Sequence, residues 1–212
     1  KPEPVVANQT ATICSDVATG LTLGNDANTP AVASYTITSI TNSANLTASA
    51  GSPATGTGLL ASEISNDAWT NTTTTNQTII YTVVPVADNG CEGNAFTVTV
   101  TVKPEPVGIA GTIPTTCSDV QFTVVLNDAD VSNSQTGVTY AWAANANNDV
   151  TGEGSGTSNI VQTITNTTAV DQSVTYVITP TGSNGCVGNT FNYVAAIIRP
   201  EPVIADQNVT AT

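Results

Sequence analysis

Four cysteines are the residues of this 212-residue chain whose chemistry is easiest to read. No Cys-x-x-Cys motif and no histidine accompanies them, although zinc sites are usually built from such groups. An even number of dispersed cysteines is typical of a secreted disulfide framework. We therefore expect disulfides rather than a metal centre or free thiols, formed by Cys14, Cys91, Cys117 and Cys186.

Carboxylate and amide oxygens recur in a second candidate site. The sequence Asn25-Asp26-Ala27-Asn28 has a counterpart in Asn127-Asp128-Ala129-Asp130, and oxygen ligands on alternate loop positions suit Ca²⁺. Each cluster falls short of the six to eight oxygens that Ca²⁺ prefers, and Asn and Asp form hydrogen-bonded turns without metal. We expect structural turns and no cofactor, with calcium as the alternative at Asp26, Asn28, Asp128 and Asp130.

Catalytic residue types are scarce in this chain. There is no histidine, the cations are Lys1, Lys103 and Arg199, and nothing concentrates the carboxylates as acid–base chemistry requires. The net charge of −13 would repel a phosphate backbone. We expect neither an enzyme nor a nucleic-acid-binding protein.

A proline-rich motif divides the chain into repeats. It begins at residues 1, 103 and 199, so the two periods are 103 − 1 = 102 and 199 − 103 = 96 residues, close to the size of a small β-sandwich. We predict repeats at 1–102 and 103–198 and the start of a third at 199–212. Alternating prolines favour stiff, extended linkers, which are Lys1-Pro2-Glu3-Pro4, Lys103-Pro104-Glu105-Pro106 and Arg199-Pro200-Glu201-Pro202.

Both repeats end in a predicted β-hairpin. Residues 96–102 alternate apolar and hydroxyl side chains at period two, as a half-buried strand does, and an Asn-Gly turn precedes them. No window shows a helical apolar stripe with capping signals, so we expect almost no helix. Short strands with one apolar face predict sandwiches. The predicted inward residues are Ile79, Tyr81, Val83, Phe96, Val174, Tyr176, Ile178, Phe191, Tyr193, Ala195 and Ile197.

Shorter strands are predicted earlier in each repeat. Residues 21–23 correspond to 122–125, and residues 34–38 correspond to 138–142, whose strand we place at the centre of a sheet. Trp69 lies beside Asn66 and Asp67, where an exposed ring would suit a sugar, but a buried Trp is the expected state. The Asn-x-Thr triplets, Asn45, Asn71 and Asn166 among them, follow from a composition rich in both residues and receive no function.

The order of these motifs resembles the PKD-like repeats of Bacteroidota surface proteins, including the giant adhesins of gliding cells. The resemblance implies an all-β fold of tandem immunoglobulin-like antiparallel β-sandwiches, export from the cell, and use as a spacer. It covers nearly the whole chain and is carried by Cys14-Ser15-Asp16, residues 81–85, Asn89-Gly90-Cys91-Glu92-Gly93 and residues 96–100, with counterparts at Cys117-Ser118-Asp119, residues 176–180, Asn184-Gly185-Cys186-Val187-Gly188 and Phe191.

Two pairings of the cysteines are open. Two cysteines in each repeat close locally with none left over, so we expect Cys14–Cys91 and Cys117–Cys186. In an immunoglobulin topology, however, the two cysteines of one repeat can lie at opposite ends. The alternative is therefore a Cys14–Cys186 disulfide across the repeat junction.

The leading functional hypothesis is a non-catalytic stalk or fibre segment of a secreted adhesin at the cell surface. Its partners would be neighbouring repeats, with surface glycans or other cells beyond them, and no apolar stretch approaches the ~20 residues of a membrane span. One alternative is a module that binds glycans or proteins through its end loops. Another is a fibre subunit that assembles by strand exchange.

Overall fold

A computed structural model describes residues 1–25 and 29–202 of the chain. The described residues divide into two compact units. The first comprises residues 1–105 together with 184–186, and the second comprises residues 106–183 together with the rest of the described chain. The calcium candidates Asp26 and Asn28, and the predicted third-repeat residues 203–212, lie outside the described residues.

The first unit is built from two sheets. A five-stranded sheet has the order β1-β7-β6-β2-β4, and β3 pairs with β5 in a two-stranded sheet. Side chains between the sheets form one hydrophobic core. The strands are β1 (Gln9–Cys14), β2 (Val32–Asn42), β3 (Leu46–Ala50), β4 (Gly56–Leu59), β5 (Ala68–Asn71), β6 (Gln77–Ala87) and β7 (Phe96–Lys103).

The second unit repeats this plan. Its large sheet has the order β13-β11-β16-β17-β8, with β9 also on β17, while β10 pairs with β14 and β12 with β15. One short 3-10 helix follows β10, at Asp128–Asp130. The strands are β8 (Gly111–Ile113), β9 (Thr116–Cys117), β10 (Gln121–Val124), β11 (Thr139–Ala144), β12 (Val150–Thr151), β13 (Ser155–Thr157), β14 (Ile160–Thr163), β15 (Thr165–Asn166), β16 (Gln172–Thr181) and β17 (Phe191–Arg199).

Period-two alternation explains the central hairpins, and the all-β prediction is confirmed. In β6 and β7 every second side chain is buried, and Tyr81 and Val98 have no exposed surface. Hydroxyl side chains occupy most of the outward positions of β7, so each strand buries one face against the second sheet. Trp142 lies in β11, between β13 and β16, as predicted for a central strand.

The first strand of each unit pairs in parallel, which differs from the antiparallel sandwich that was expected. Strand β1 runs beside β7 from Gln9 opposite Val98 to Cys14 opposite Lys103. Strands β8 and β9 run beside β17 in the same way. No hairpin ties these strands together, so their relative direction is not forced to be antiparallel.

Two local predictions are wrong. Residues 21–23 form no strand, because the partner segment at residues 61–66 turns and hydrogen-bonds them through backbone groups such as Leu23 N–H to Ala61 C=O at 2.8 Å. The second wrong prediction concerns β17. A bulge shifts the register of its pairing with β16, because Gln172 lies opposite Ile198 while Val174 lies opposite Ala195. Ile198 is consequently fully buried, and Ile197, predicted to face the core, is half-buried.

A buried asparagine ties three strands of each unit together. Asn71 of β5 donates through Nδ2 to the carbonyl of Val102, at 2.8 Å, and its N–H donates to Ser15 Oγ at 3.0 Å. Asn166 makes the equivalent bonds to Ile198 and Ser118, at 2.8 and 2.9 Å. Buried polar groups are costly unless hydrogen-bonded, so this arrangement holds the end of the first strand against the end of the last.

We expect Asn71→Ala to lower the free energy of unfolding by about 1 to 3 kcal/mol, because the Val102 carbonyl loses its side-chain partner. Denaturant unfolding of the purified chain measures this. Asn45→Ala removes an exposed asparagine from the same kind of Asn-x-Thr triplet and is the matched control. Equal stability of the two variants would contradict a structural role for Asn71.

Candidate functional site

The first cysteine of each repeat lies where its first strand meets the following linker. Cys14 ends β1 opposite Lys103, and Cys117 ends β9 opposite Arg199. The next residue continues the pairing, because Ser15 N–H donates to the Lys103 carbonyl and Ser118 N–H to the Arg199 carbonyl, both at 2.8 Å. Both copies thus place a cysteine beside the exit of the repeat.

An aspartate ends each of these strands. Asp16 and Asp119 have φ of 61° and 60°, the left-handed region in which Asn and Asp are tolerated better than most residues. Thr70 donates its hydroxyl proton to the Asp16 carboxylate, and Thr165 does the same for Asp119. Burial opposes ionisation of Asp16, but side-chain hydrogen bonds, including that from Thr70, outweigh it and lower its pKa.

The linker that opens each repeat is held by the Asn-Gly-Cys turn of that same repeat, in an arrangement we call the linker clasp. Lys1 Nζ donates to the Asn89 carbonyl at 3.2 Å, and Asn89 Nδ2 donates to the Pro2 carbonyl at 3.4 Å. In the second copy, Lys103 Nζ and the Asn184 carbonyl are 3.3 Å apart. Asn184 Nδ2 donates to the Pro104 carbonyl at 2.7 Å.

A glycine completes each clasp by leaving room for the linker backbone. A Cβ on Gly93 would lie 2.0 Å from the Pro4 carbonyl oxygen, and one on Gly188 would lie 1.9 Å from that of Pro106. These separations are far below van der Waals contact, so only glycine fits. Pro4 and Pro106 are buried, and the linkers therefore pack on the repeat they introduce instead of running free through solvent.

The structure contains a disulfide between Cys14 and Cys186, whose Cα atoms are 5.6 Å apart. This distance is ordinary for a disulfide. Cys186 belongs to the 184–186 turn, which is part of the first unit. The contacts explain the pairing, because Cys14 is in register with Lys103 while Lys103 and Pro104 hold Asn184, two residues from Cys186.

The local pairs Cys14–Cys91 and Cys117–Cys186 do not form. Cys14 lies beside Lys103 at the end of β7, whereas Cys91 precedes Phe96 at its start. Eight residues at ~3.3 Å per residue separate the ends of β7 by about 25 Å, and a disulfide needs Cα atoms within about 7 Å. Cys91 and Cys117 are thiols in the structure, half-buried and exposed respectively.

The linker carboxylate of Glu105 lies in the same region. Burial raises its pKa, and the negative charge of Asp16 raises it further. Glu105 is therefore easier to protonate than a free glutamate.

The acidic side chains of Asp128 and Asp130 in the second unit accept hydrogen bonds from nearby groups of the protein itself. Asp128 accepts hydrogen bonds from the N–H groups of Gly137 and Val138, both at 3.0 Å, and these bonds lower its pKa. Asp130 accepts from Asn127 N–H at 2.7 Å and from the Tyr193 hydroxyl. Among the described residues, no group of three or more His, Cys, Asp or Glu side chains is arranged to hold a metal ion.

Trp69 is a core residue. It is 4% exposed, and its Nε1–H donates to the Tyr81 hydroxyl at 3.2 Å. That hydroxyl donates in turn to the carboxylate of Asp67 at 2.8 Å. A buried ring cannot stack on a sugar, so Trp69 is not a binding platform.

Sequence reasoning missed the parts that position the cysteines. Asn71 and Asn166 belong to Asn-x-Thr triplets to which the composition alone assigns no function, yet they occupy corresponding places in the two repeats. Gly93 and Gly188 likewise end the repeated Asn-Gly-Cys-x-Gly motif. The correspondence between repeats was the signal that could have revealed both pairs.

Comparison with known proteins identifies a family. The PKD-like domain matches residues 11–106 and again residues 114–202. Nothing among the curated proteins matches the chain. In the described part of the chain, no helix is long and apolar enough to cross a membrane.

Several solved structures align with the chain at low identity. The fibronectin(III)-like modules of Clostridium thermocellum CbhA align over 99% of both chains, at 12% identity and a TM-score of 0.32. Chicken CNTN1 FN1-FN3 aligns over 96% of this chain and 68% of its own, at 11% identity and a TM-score of 0.27. Drosophila N-cadherin EC1-4 aligns over 92% of this chain and 49% of its own, at 13% identity and a TM-score of 0.28.

The disulfide can be read directly from a digest at glutamate. Glutamates followed by proline resist cleavage, so cleavage after Glu63, Glu92 and Glu153 gives four peptides with one cysteine each. Under non-reducing conditions we expect peptide 1–63 to be linked to peptide 154–212. Peptides 64–92 and 93–153 should carry alkylated thiols. A link between 1–63 and 64–92 would contradict the assignment.

We expect Asp128→Ala to lower the melting temperature at pH 7, equally with millimolar Ca²⁺ and with chelator. A lowered pKa means that the ionised carboxylate stabilises the fold above its unfolded pKa. This stabilisation is lost as the pH falls through the folded pKa, so the difference from wild type should shrink near pH 3. Asp149→Ala, at an exposed aspartate of the same unit, is the control. A chelator-induced drop in the wild-type melting temperature would instead reveal a calcium site.

Proposed function

Because the chain belongs to the PKD-like domain family, we propose that it is a mechanical spacer in an extracellular repeat protein. In this proposal the repeats transmit tension and set distance, and they carry out no reaction. The resemblance of the motifs to repeats of Bacteroidota gliding adhesins leads us to propose a large secreted surface adhesin as the parent protein. The chain would then hold a distal adhesive region away from the cell.

The observation that carries this proposal is the Cys14–Cys186 disulfide. It joins two residues 172 positions apart in sequence, one in each repeat. Tension applied to the two ends of the chain would therefore pass through the disulfide and bypass residues 15–185. A bond placed in this way limits extension, which suits a spacer under load.

Extracellular placement is supported by the chemistry of the same bond. Disulfides persist in oxidising compartments and are rare where thiols are kept reduced. The net charge of −13 would help repeats remain dispersed outside the cell. A family of PKD-like domains and a disulfide both fit an extracellular domain.

Among the residues that the structure describes, neither alternative function has a specific structural feature in its favour. The sugar-binding proposal depended on Trp69, which is buried. Strand exchange would need a first strand free to leave, but β1 pairs with β7 along its whole length, from Gln9 to Cys14. We propose that the chain needs no cofactor, since the acidic side chains of the described turn hydrogen-bond within the protein.

Single-molecule pulling from the two termini tests the spacer proposal. With the disulfide closed, only the 13 residues before Cys14 and the 26 after Cys186 can extend, or about 140 Å at ~3.6 Å per residue. Reduction should release the enclosed segment and add about 600 Å of contour length.

The matched control is the double variant Cys14→Ser with Cys186→Ser, which should extend fully without reductant. Cys91→Ser with Cys117→Ser should behave as the oxidised wild type does, because these thiols are outside the bond. Full extension of oxidised wild-type protein would reject a role for this bond in limiting extension.

A further inference from the structure

The two unpaired cysteines are the internal counterparts of the two that form the disulfide. Cys117 corresponds to Cys14, because both end a first strand beside a linker, opposite Arg199 and Lys103 respectively. Cys91 corresponds to Cys186, because both follow Asn-Gly in a turn that holds the preceding linker. The chain therefore contains one complete disulfide, Cys14–Cys186. It also contains one unpaired first-strand cysteine, Cys117, and one unpaired turn cysteine, Cys91, each of which is half of such a pair.

Each half has the same local support as its paired counterpart. The N–H of Cys91 donates to Asn89 Oδ1 at 2.9 Å, and that of Cys186 donates to Asn184 Oδ1 at 2.9 Å. Likewise, Ser118 is fixed by Asn166 as Ser15 is by Asn71. The backbone that presents each cysteine is thus already in place, and neither thiol is fully buried.

We propose that Cys91 and Cys117 form this same disulfide with the flanking repeats. Cys117 pairs with the turn cysteine of the repeat that follows, and Cys91 pairs with the first-strand cysteine of the repeat that precedes. The two thiols lose two protons and two electrons as the S–S bond forms. A small disulfide such as oxidised glutathione accepts them and leaves as two thiols.

Successive disulfides would interlock. The observed bond encloses residues 15–185, and the next would start at Cys117, which lies inside that loop, 69 residues before Cys186. Because consecutive loops overlap, every peptide bond in the interior of an array would be bridged by at least one disulfide. A single backbone cleavage there would leave the array in one piece.

This inference rests on the proposed function, in which further repeats flank the chain in tandem. Its test measures disulfide formation and does not depend on the response of the chain to force. Residues 1–198 are fused to a full second copy, so that Lys1-Pro2-Glu3-Pro4 of the second copy stands where Arg199-Pro200-Glu201-Pro202 stood. The fusion recreates a linker between the first copy's Cys117 and the second copy's Cys91. Joining the partners in one chain also raises their effective concentration.

Free thiols are counted by titration after equilibration in a buffer with reduced glutathione in excess over oxidised glutathione, so that mixed disulfides between the protein and glutathione do not accumulate. The fused chain contains four cysteines outside the Cys14–Cys186 bonds, namely Cys91 and Cys117 of each copy, and we expect two free thiols to remain. The single chain, kept dilute, should keep both of its thiols. A glutamate digest of the fused monomer should contain peptide 93–153 linked to peptide 64–92, which the single chain should lack.

The control is Cys117→Ser in the first copy alone, which should leave three free thiols and no linked peptide. Four free thiols in the oxidised fusion, with Cys14–Cys186 intact in both copies, would overturn the proposal. So would loss of both thiols in the dilute single chain, because Cys91 would then pair with Cys117 of its own copy. Either result leaves the pulling experiment on the single chain unaffected.

Discussion

The parallel pairing of the first strand with the last strand is the constraint on which the site depends. It places Cys14 opposite Lys103, so the residue that ends the first strand lies beside the residue that starts the next linker. An antiparallel partner would run the other way along β7 and would carry the end of β1 toward Phe96. The hydrogen bonds of Asn71 to Ser15 and Val102 fix the ends of both strands at that position.

The sequence predicted the hairpins well because a single physical rule controls them. A strand between a core and solvent alternates, and β7 shows this alternation without interruption. The rule failed at β17, where Ile198 rather than Ile197 is fully buried. A bulge adds one residue to one strand and reverses the faces beyond it, and residues 192–196 lack the apolar and hydroxyl alternation that β7 has. The strand predicted at residues 21–23 does not form for a related reason. A strand needs a neighbouring strand to pair with, and residues 61–66, which lie beside it, form turns.

The cysteine pairing could not be derived from spacing because both solutions use the same residues. Local closure follows from counting, whereas the observed bond follows from strand direction and from the place of the Asn184 turn on the linker. Both depend on the topology of the fold, which cannot be read from the number of residues between two cysteines. The sequence did identify Cys14-Ser15-Asp16 and the Asn-Gly-Cys-x-Gly motif, and it left open which of them meet.

The energetics indicate why the observed bond matters more for connection than for the stability of a repeat. Local pairs would close loops of about 70 to 80 residues, each contributing roughly 4 kcal/mol by loop entropy. The bond between Cys14 and Cys186 encloses 171 residues and contributes about 5 kcal/mol once, less than the two local bonds together. Each unit already has its own hydrophobic core and its own buried asparagine network. What the longer loop adds is a covalent path from one repeat sequence to the next, which no local disulfide supplies.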